Sequence, residues 1–340
     1  MKVFYLFRTN LKNRESYHSI TDLETFKNEC WDFYCLQGIY FLENNIYDKF
    51  VVWRLSDNDL PDINFNVNGK EFIQRWVKDF NEVFNYEKPY ISLFRGGFCD
   101  YDEITKKNPD FFGKKLYLGS SKRVTPQYGG VYDKILVESD IDRLLNVGSI
   151  PFYKTANPNI FKPLTDKQIH FDICWVANFA QLRHKGHQYF IEEIAKSKNL
   201  SHLKIVHIGN NPDVGKHLCK ENNVFNISFF GPKTRPEINE ILNMSKCGIV
   251  TSNEQDGCPR VITEILCSGT PLLVRNKTRL LSYYNEEQRA CHVFPDNMLE
   301  SYINSTMYNW PSYKKWTIKN LENLTMDKIC SLNVKVWESI

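Results

Sequence analysis

Val250-Thr251-Ser252-Asn253-Glu254-Gln255-Asp256-Gly257-Cys258-Pro259-Arg260-Val261-Ile262-Thr263-Glu264-Ile265-Leu266-Cys267-Ser268-Gly269-Thr270-Pro271 is the stretch whose reading decides the fold. An apolar run ending at Val250–Thr251 reads as a buried strand, and a polar loop follows it. Pro, favoured at the first position of a helix, opens a helix over Pro259–Cys267 that Ser268-Gly269 stops. Leu272–Val274, after Pro271, is the next strand. Strand, loop, helix and strand in this order make the βαβ unit of a parallel sheet. The loop then lies at the carboxyl end of a parallel strand, where open α/β sheets bind ligands. Free N–H groups at a helix start and the helix dipole favour an anion there, and Gly257 permits close backbone approach. Val261, Ile262, Ile265 and Leu266 are expected to face the core, leaving Arg260 and Glu264 on the exposed face. Taken alone these charges stay ambiguous. Arg260 and Glu264 could form a surface i,i+4 pair worth about 0.3 kcal/mol, and Asp256 could be a helix cap.

Working outward, the α/β rhythm continues. Strands are expected at Phe171–Val176, Leu203–Ile208 (ending at Gly209), Ile227–Phe230 (closed by Gly231) and Cys247–Thr251, and helices at His187–Ser197 and Thr234–Met244. Thr234, three residues before Glu237, predicts a capping box. In the first half, strands are expected at Val3–Phe7, Phe50–Leu55, Tyr90–Phe94, Lys115–Gly119 and Lys134–Glu138, with helical spacing from Trp31 to Tyr47. Glu71–Phe84 places Phe72, Ile73, Trp76, Val77, Phe80, Val83 and Phe84 on one helical face. Its polar face mixes Arg75 and Lys78 with Asp79 and Glu82, which favours packing on a sheet over lying on a membrane. Ser149–Pro163 is Pro-punctuated and without helical period, so the linker belongs there. The expected division is 1–155 and 156–340, both α/β. The closing stretch, about 297–340, is helical and open to packing back on the first domain.

Composition sets the frame. The 340 residues are 42% hydrophobic and 24% charged, ordinary for a globular chain, and 43 Lys and Arg against 40 Asp and Glu leave a net charge of +3. That is too little for a nucleic-acid footprint, so no nucleic-acid partner is expected. Met1–Phe7 is short and runs into Arg8, unlike a secretory signal, and no run of about 18 apolar residues suggests a membrane-spanning helix. Ten scattered cysteines without C-x-x-C or zinc spacing read as reduced core residues, and the expected location is the cytoplasm.

Asp256-x7-Glu264 within D-G-C-P-R-V-I-T-E-I-L-C-S-G-T-P resembles the E-x7-E signature of GT-B glycosyltransferases of family 4, with Asp in place of the first Glu. Three more stretches fall in the order of that family. Asn157-Pro158-Asn159-Ile160-Phe161-Lys162-Pro163 resembles its interdomain linker. Trp175–Gly186, with Arg183 and Lys185, resembles its phosphate-binding segment. Ile205–Gly209 and Ser228–Gly231 resemble two of its strands. The likeness covers about residues 151–275; the first half agrees only in rhythm. There are departures too: Ala177-Asn178 stands where the family has Gly-Arg, Arg8-Thr9-Asn10 replaces its usual Gly-rich loop, and His18 is the only histidine of the first half.

The resemblance implies two doubly wound Rossmann-like domains facing a cleft, the acceptor on the first and a nucleotide diphosphate sugar on the second. It implies sugar transfer to a glycan or other hydroxyl acceptor with retention of configuration. Lys185, with Arg183, would neutralise the diphosphate; Asp256 would hold sugar hydroxyls and Glu264 ribose hydroxyls. Backbone N–H groups of Gly257, Cys258 and Arg260 would line the phosphate beside Pro259, which has none to give. Gly209 and the Gly231-Pro232-Lys233 turn would frame base and ribose. No cofactor and no metal are implied, and peripheral membrane contact stays open. Asp57-Asn58-Asp59 and Asp140-Ile141-Asp142 are D-x-D matches, a weak sign of a metal-dependent transferase. An epimerase or phosphorylase on the same fold, or a non-catalytic sugar-binding module, are the alternatives.

Overall fold

The computed structural model describes residues 1–8, 20–96, 99–119, 131–179, 182–256, 258–284 and 291–339, without the side chains of 99, 100, 102, 182 and 183. The chain divides into two compact units, Met1–Asn157 with Met326–Ile340, and Pro158–Thr325.

The first unit is built on an eight-stranded sheet. Its strands are β1 (Val3–Arg8), β2 (Lys49–Leu55), β3 (Ile63–Val67), β4 (Lys70–Val77), β5 (Ile91–Arg95), β6 (Lys114–Gly119), β7 (Lys134–Val137) and β8 (Ile150–Pro151), in the order β3-β4-β2-β1-β5-β6-β7-β8. All neighbours are parallel except β3 and β4. The central strands β1, β2 and β5 are buried along nearly their whole length, as a sheet covered on two sides requires. Phe7 stacks on Phe94 with ring centroids 4.7 Å apart, and Phe4 on Phe50 at 4.9 Å. The helix Met326–Glu338 belongs to this unit: Trp337 is fully buried against Phe4, Phe41 and Phe152. Asn333 brackets the Tyr153 backbone, accepting from its N–H at 3.0 Å and donating to its carbonyl at 2.9 Å.

Glu71–Phe84 is not the expected helix. Lys70–Val77 is strand β4, and a 3-10 turn covers Phe80–Asn85. Asn68 and Gly69, both at positive φ, turn the chain from β3 into β4. On β3 Ile63, Phe65 and Val67 are buried while Asn64 and Asn66 are exposed. Asn-Gly between an alternating run and an apolar one is a hairpin signal, and the hairpin overrides the helical spacing downstream.

The second unit holds six parallel strands: β9 (Phe171–Val176), β10 (Ile205–Ile208), β11 (Ile227–Phe229), β12 (Ser245–Val250), β13 (Leu272–Arg275) and β14 (Cys291–Phe294). Their order is β11-β10-β9-β12-β13-β14, the doubly wound arrangement with β9 first and the direction of winding reversing between β9 and β12. Helices His187–Lys196, Pro212–Glu221, Arg235–Asn243 and Val261–Cys267 connect strands of this sheet, followed by the long helix Leu299–Lys319. The Thr234–Glu237 capping box forms as expected. Gly215, inside Pro212–Glu221, lets that helix close on Phe179 and Phe229, whose rings a Cβ would overlap.

Candidate nucleotide-binding site

The reversal between β9 and β12 opens a crevice at the carboxyl ends of the second sheet, and the signature residues gather there. A cavity of about 330 Å³ is lined on one side by Ala177, Asn178 and Gly209, from the loops after β9 and β10. Pro232, Lys233 and Arg235 line it from the start of the next helix, and Pro259, Arg260 and Glu264 from the helix after β12. Lys185 reaches in from the end of the one-turn helix Leu182–Lys185, which lies between β9 and the helix His187–Lys196.

Lys185 is placed by its backbone. Gly186 has φ +68°, and a Cβ there would overlap the Thr251 carbonyl oxygen, so the turn can press onto the end of β12 only as glycine. Thr251 Oγ1 donates to the Lys185 carbonyl at 2.9 Å, and Asn253 N–H to the His184 carbonyl at 2.9 Å. Held this way, Lys185 Nζ donates to Asp256 Oδ2 at 2.7 Å, with both side chains about one-fifth exposed. A cation and an anion expected to serve different parts of a ligand thus meet directly.

Glu264 corrects an expectation. It is buried, at 2% exposure, not on an open face with Arg260, and its partner is Arg235, whose Nη1 lies 2.7 Å from Oε1. The helix Val261–Cys267 packs between the sheet and the helix Arg235–Asn243, so the side expected to meet water meets that neighbour instead. Arg260 is exposed and caps the helix, which begins at Val261, two residues later than the expected start at Pro259. Pro259 stays just outside, its carbonyl accepting from Ile262 N–H at 3.1 Å.

The other expected residues divide plainly. Gly209, Pro232 and Lys233 line the cavity. Gly231 supports it from behind: its carbonyl accepts from Gly209 N–H at 3.0 Å. A Cβ at Gly209 would overlap the Ala177 carbonyl, so the loops after β9 and β10 meet at backbone distance. Cys258 is buried and outside the lining. Gly257 and the side chain of Arg183 lie outside the described residues, as do Thr9, Asn10 and His18. Asn178, where the resemblance expects Arg, accepts from Asn210 N–H at 2.9 Å and orders the loop after β10. Arg235 went unread in the sequence, because its role depends on Glu264, 29 residues away.

The D-x-D stretches have structural employment. Asp59 pairs with Lys78 at 2.9 Å on the surface, and Asp142 is buried in the cap of its own helix, accepting from Ser139 Oγ at 2.6 Å. No described helix is long and apolar enough to cross a membrane. The nine described cysteines are buried and none of them forms a disulfide.

Residues 170–322 match the model of the family described as "Glycosyl transferases group 1". No curated protein matches the chain. Among solved structures the chain is similar to a sucrose-phosphate synthase from Thermosynechococcus elongatus, with TM-score 0.68, 11% identity, and 100% of this chain and 99% of that one covered. It is also similar to a glycosyltransferase from Rickettsia africae ESF-5, with TM-score 0.67, 13% identity and 99% and 98% covered. Anabaena Alr3699/HepE in complex with UDP gives TM-score 0.67, 9% identity and full cover of both chains. At these identities the likeness is one of fold, and the fold is of the GT-B type.

Proposed function

We propose that the chain is a glycosyltransferase that moves a sugar from a nucleotide diphosphate sugar to a hydroxyl acceptor with retention of configuration and without a metal. The observation that carries this reading is the Lys185–Asp256 pair at the switch point of the second sheet, with Lys185 and buried Glu264 lining the same cavity. It lies within the stretch that matches the glycosyl transferases group 1 model.

In this reading the diphosphate sits at the Lys185 ammonium. As the bond from the anomeric carbon to the diphosphate oxygen breaks and one to the acceptor oxygen forms, negative charge grows on the leaving group, whose phosphate oxygen takes up the acceptor's hydroxyl proton. A fixed cation aimed at that charge lowers the barrier. Arg183, in the turn before Lys185, supplies the second positive charge. Asp256, drawn off Lys185 by the incoming diphosphate, accepts from sugar hydroxyls. Glu264, fixed by Arg235, accepts from the ribose hydroxyls. The close backbone approach at Gly209 leaves a flat wall for the base. UDP, present in the Anabaena structure, is the first nucleotide to try.

The test is turnover. The purified chain is incubated with UDP- and GDP-sugars and a set of glycan acceptors, released nucleoside diphosphate is assayed, and the product's anomeric configuration is read by NMR. Transfer with retention, lowered at least 100-fold in Lys185→Ala, supports the proposal. An isomerised donor, or a sugar phosphate formed from inorganic phosphate, would replace it with an epimerase or a phosphorylase.

A further inference from the structure

The long helix Leu299–Lys319 is anchored on one side and turned to solvent on the other. Leu299, Ile303, Thr306 and Thr317 are buried in the second unit, and the Tyr313 ring lies 4.4 Å from that of His292. A Cβ at Gly269 would lie 3.0 Å from Ile318 Cγ1, so the last turn is seated beside the end of the helix Val261–Cys267. Positions 308, 311, 315 and 319 follow the three- and four-residue steps of one helical face. They are Tyr308, Pro311, Lys315 and Lys319, flanked by Trp316 and Ile318, and all six are exposed. Tyr308 is 87% exposed, Trp316 45% and Ile318 43%. The solvent face of a helix ordinarily carries charged and polar side chains instead.

The charges on this part of the helix are of one sign. From Ser301 to Leu321 there is no Asp or Glu, whereas Lys314, Lys315 and Lys319 all fall in the last two turns. Among the described residues none of these three lysines has an ion pair or a hydrogen bond from its ammonium. Other helices of the same unit answer an exposed lysine within one turn: Lys196 pairs with Glu193 at 2.7 Å and Lys216 with Asp213 at 2.9 Å. Lys314 is half-buried, and burial lowers its pKa. A desolvated ammonium without a counter-ion costs stability, so this position gains from an anion that a partner brings.

Exposed rings beside uncompensated lysines suit one kind of surface. Trp and Tyr settle at the boundary between lipid headgroups and acyl chains, and lysines draw a helix face onto anionic headgroups. We propose that the carboxyl-terminal half of this helix docks on an anionic lipid bilayer. Tyr308 and Trp316 lie at headgroup depth, Lys315 and Lys319 meet the lipid phosphates, and the half-buried stem of Lys314 lets its ammonium snorkel to them. A soluble polyanion fits less well, because it leaves Trp316 and Ile318 in water. A second copy of this chain fits less well again, because a two-fold contact sets the same lysines against each other. The docking face stands on this helix alone and does not depend on sugar transfer.

The test is flotation of the whole chain with vesicles of phosphatidylcholine alone and of phosphatidylcholine mixed with phosphatidylglycerol, at low and at physiological salt. Binding to the mixed vesicles only is expected, and it should weaken as salt rises. Lys315→Glu with Lys319→Glu should lower the partition at least tenfold, and Trp316→Ser about threefold. These side chains are exposed, so both variants should melt with the wild type. Lys198→Glu with Lys220→Glu makes the same charge change at exposed positions off this helix and should leave the partition within about twofold. No flotation with mixed vesicles, equal flotation of all variants, or equal loss in both charge-reversed pairs would overturn the proposal. So would binding to dextran sulfate without vesicle binding, or a dimer in sedimentation that Lys315→Glu with Lys319→Glu dissolves. If the chain floats as expected but turns over no nucleotide sugar, the sugar-transfer reading fails and this one stands.

Discussion

Lys185 Nζ lies 2.7 Å from Asp256 Oδ2, joining the turn after β9 to the loop after β12 across the switch point of the second sheet. The two residues are 71 positions apart and meet because each sits at the carboxyl end of a neighbouring strand. An ion pair one-fifth exposed contributes about 1 kcal/mol or less to stability. Lys185→Ala is therefore expected to melt within a few degrees of the wild type while losing nucleotide-sugar turnover by at least 100-fold. Thermal unfolding and initial rates on the same preparation check this, and a variant that turns over normally would remove Lys185 from the chemistry.

Gly186 is where a methyl group should do the most damage to that pair. At φ +68° and against the Thr251 carbonyl, alanine meets both backbone strain and overlap. Gly186→Ala is expected to lose about 2 kcal/mol of stability or more, and nucleotide affinity with it, because the turn that aims Lys185 must move off β12. Urea unfolding midpoints and nucleotide titration read the two effects separately.

Arg235 and Glu264 form a second ion pair at the cavity, with the Glu264 side chain 3% exposed and that of Arg235 about one-third exposed. Removing the cation alone leaves a buried carboxylate uncompensated, so Arg235→Ala should cost about 3 kcal/mol. Arg235→Ala combined with Glu264→Gln should recover much of that loss while nucleotide binding stays weak. A double-mutant cycle of chemical denaturation shows whether the coupling exists.

His187 and His207 are fully buried among Trp175, Phe179 and each other, with ring centroids to Phe179 at 4.1 and 4.6 Å. Burial, and for His187 the nearby His207, lowers their pKa values to about 3 and about 4. Both stay neutral in the fold and titrate near their ordinary value of 6.5 when unfolded. Below pH 6.5 the unfolded chain takes up protons that the folded chain refuses, so stability is fully present above that pH and falls as pH drops towards 4 and 3. The expected loss is about 2 kcal/mol per histidine by pH 5. Urea midpoints between pH 7.5 and 5 measure it, and His187→Met with His207→Met should flatten the slope.

The second unit was legible because its signals are local. Val250–Pro271 carries strand, loop, helix stop and next strand in one stretch, and Thr234 and Glu237 cap a helix three residues apart. What the residues could not give is pairing at a distance. Glu264 was expected beside Arg260 because the two are one helical turn apart, whereas the structure gives Glu264 to Arg235 of the neighbouring helix. Glu71–Phe84 misled for a different reason: aromatic residues every three or four positions also suit a strand followed by a turn, and only Asn68-Gly69 distinguished the two. Phe7-Arg8, Trp53-Arg54 and Phe94-Arg95 each end a buried run in the same way, but only the strand register places them side by side.

The central claim is that the cavity around Lys185 and Glu264 binds the nucleotide diphosphate of a sugar donor. The most direct measurement is the thermal shift of the wild type, Lys185→Ala and Glu264→Gln across nucleoside diphosphates and their sugars. A ligand at 100-fold its dissociation constant stabilises the native state by about 2.7 kcal/mol, a shift of several degrees. The account predicts such a shift for one nucleotide and its sugars in the wild type, lost or much reduced in both variants. No shift with any nucleotide in a folded wild-type sample, or a shift of equal size in both variants, would contradict it.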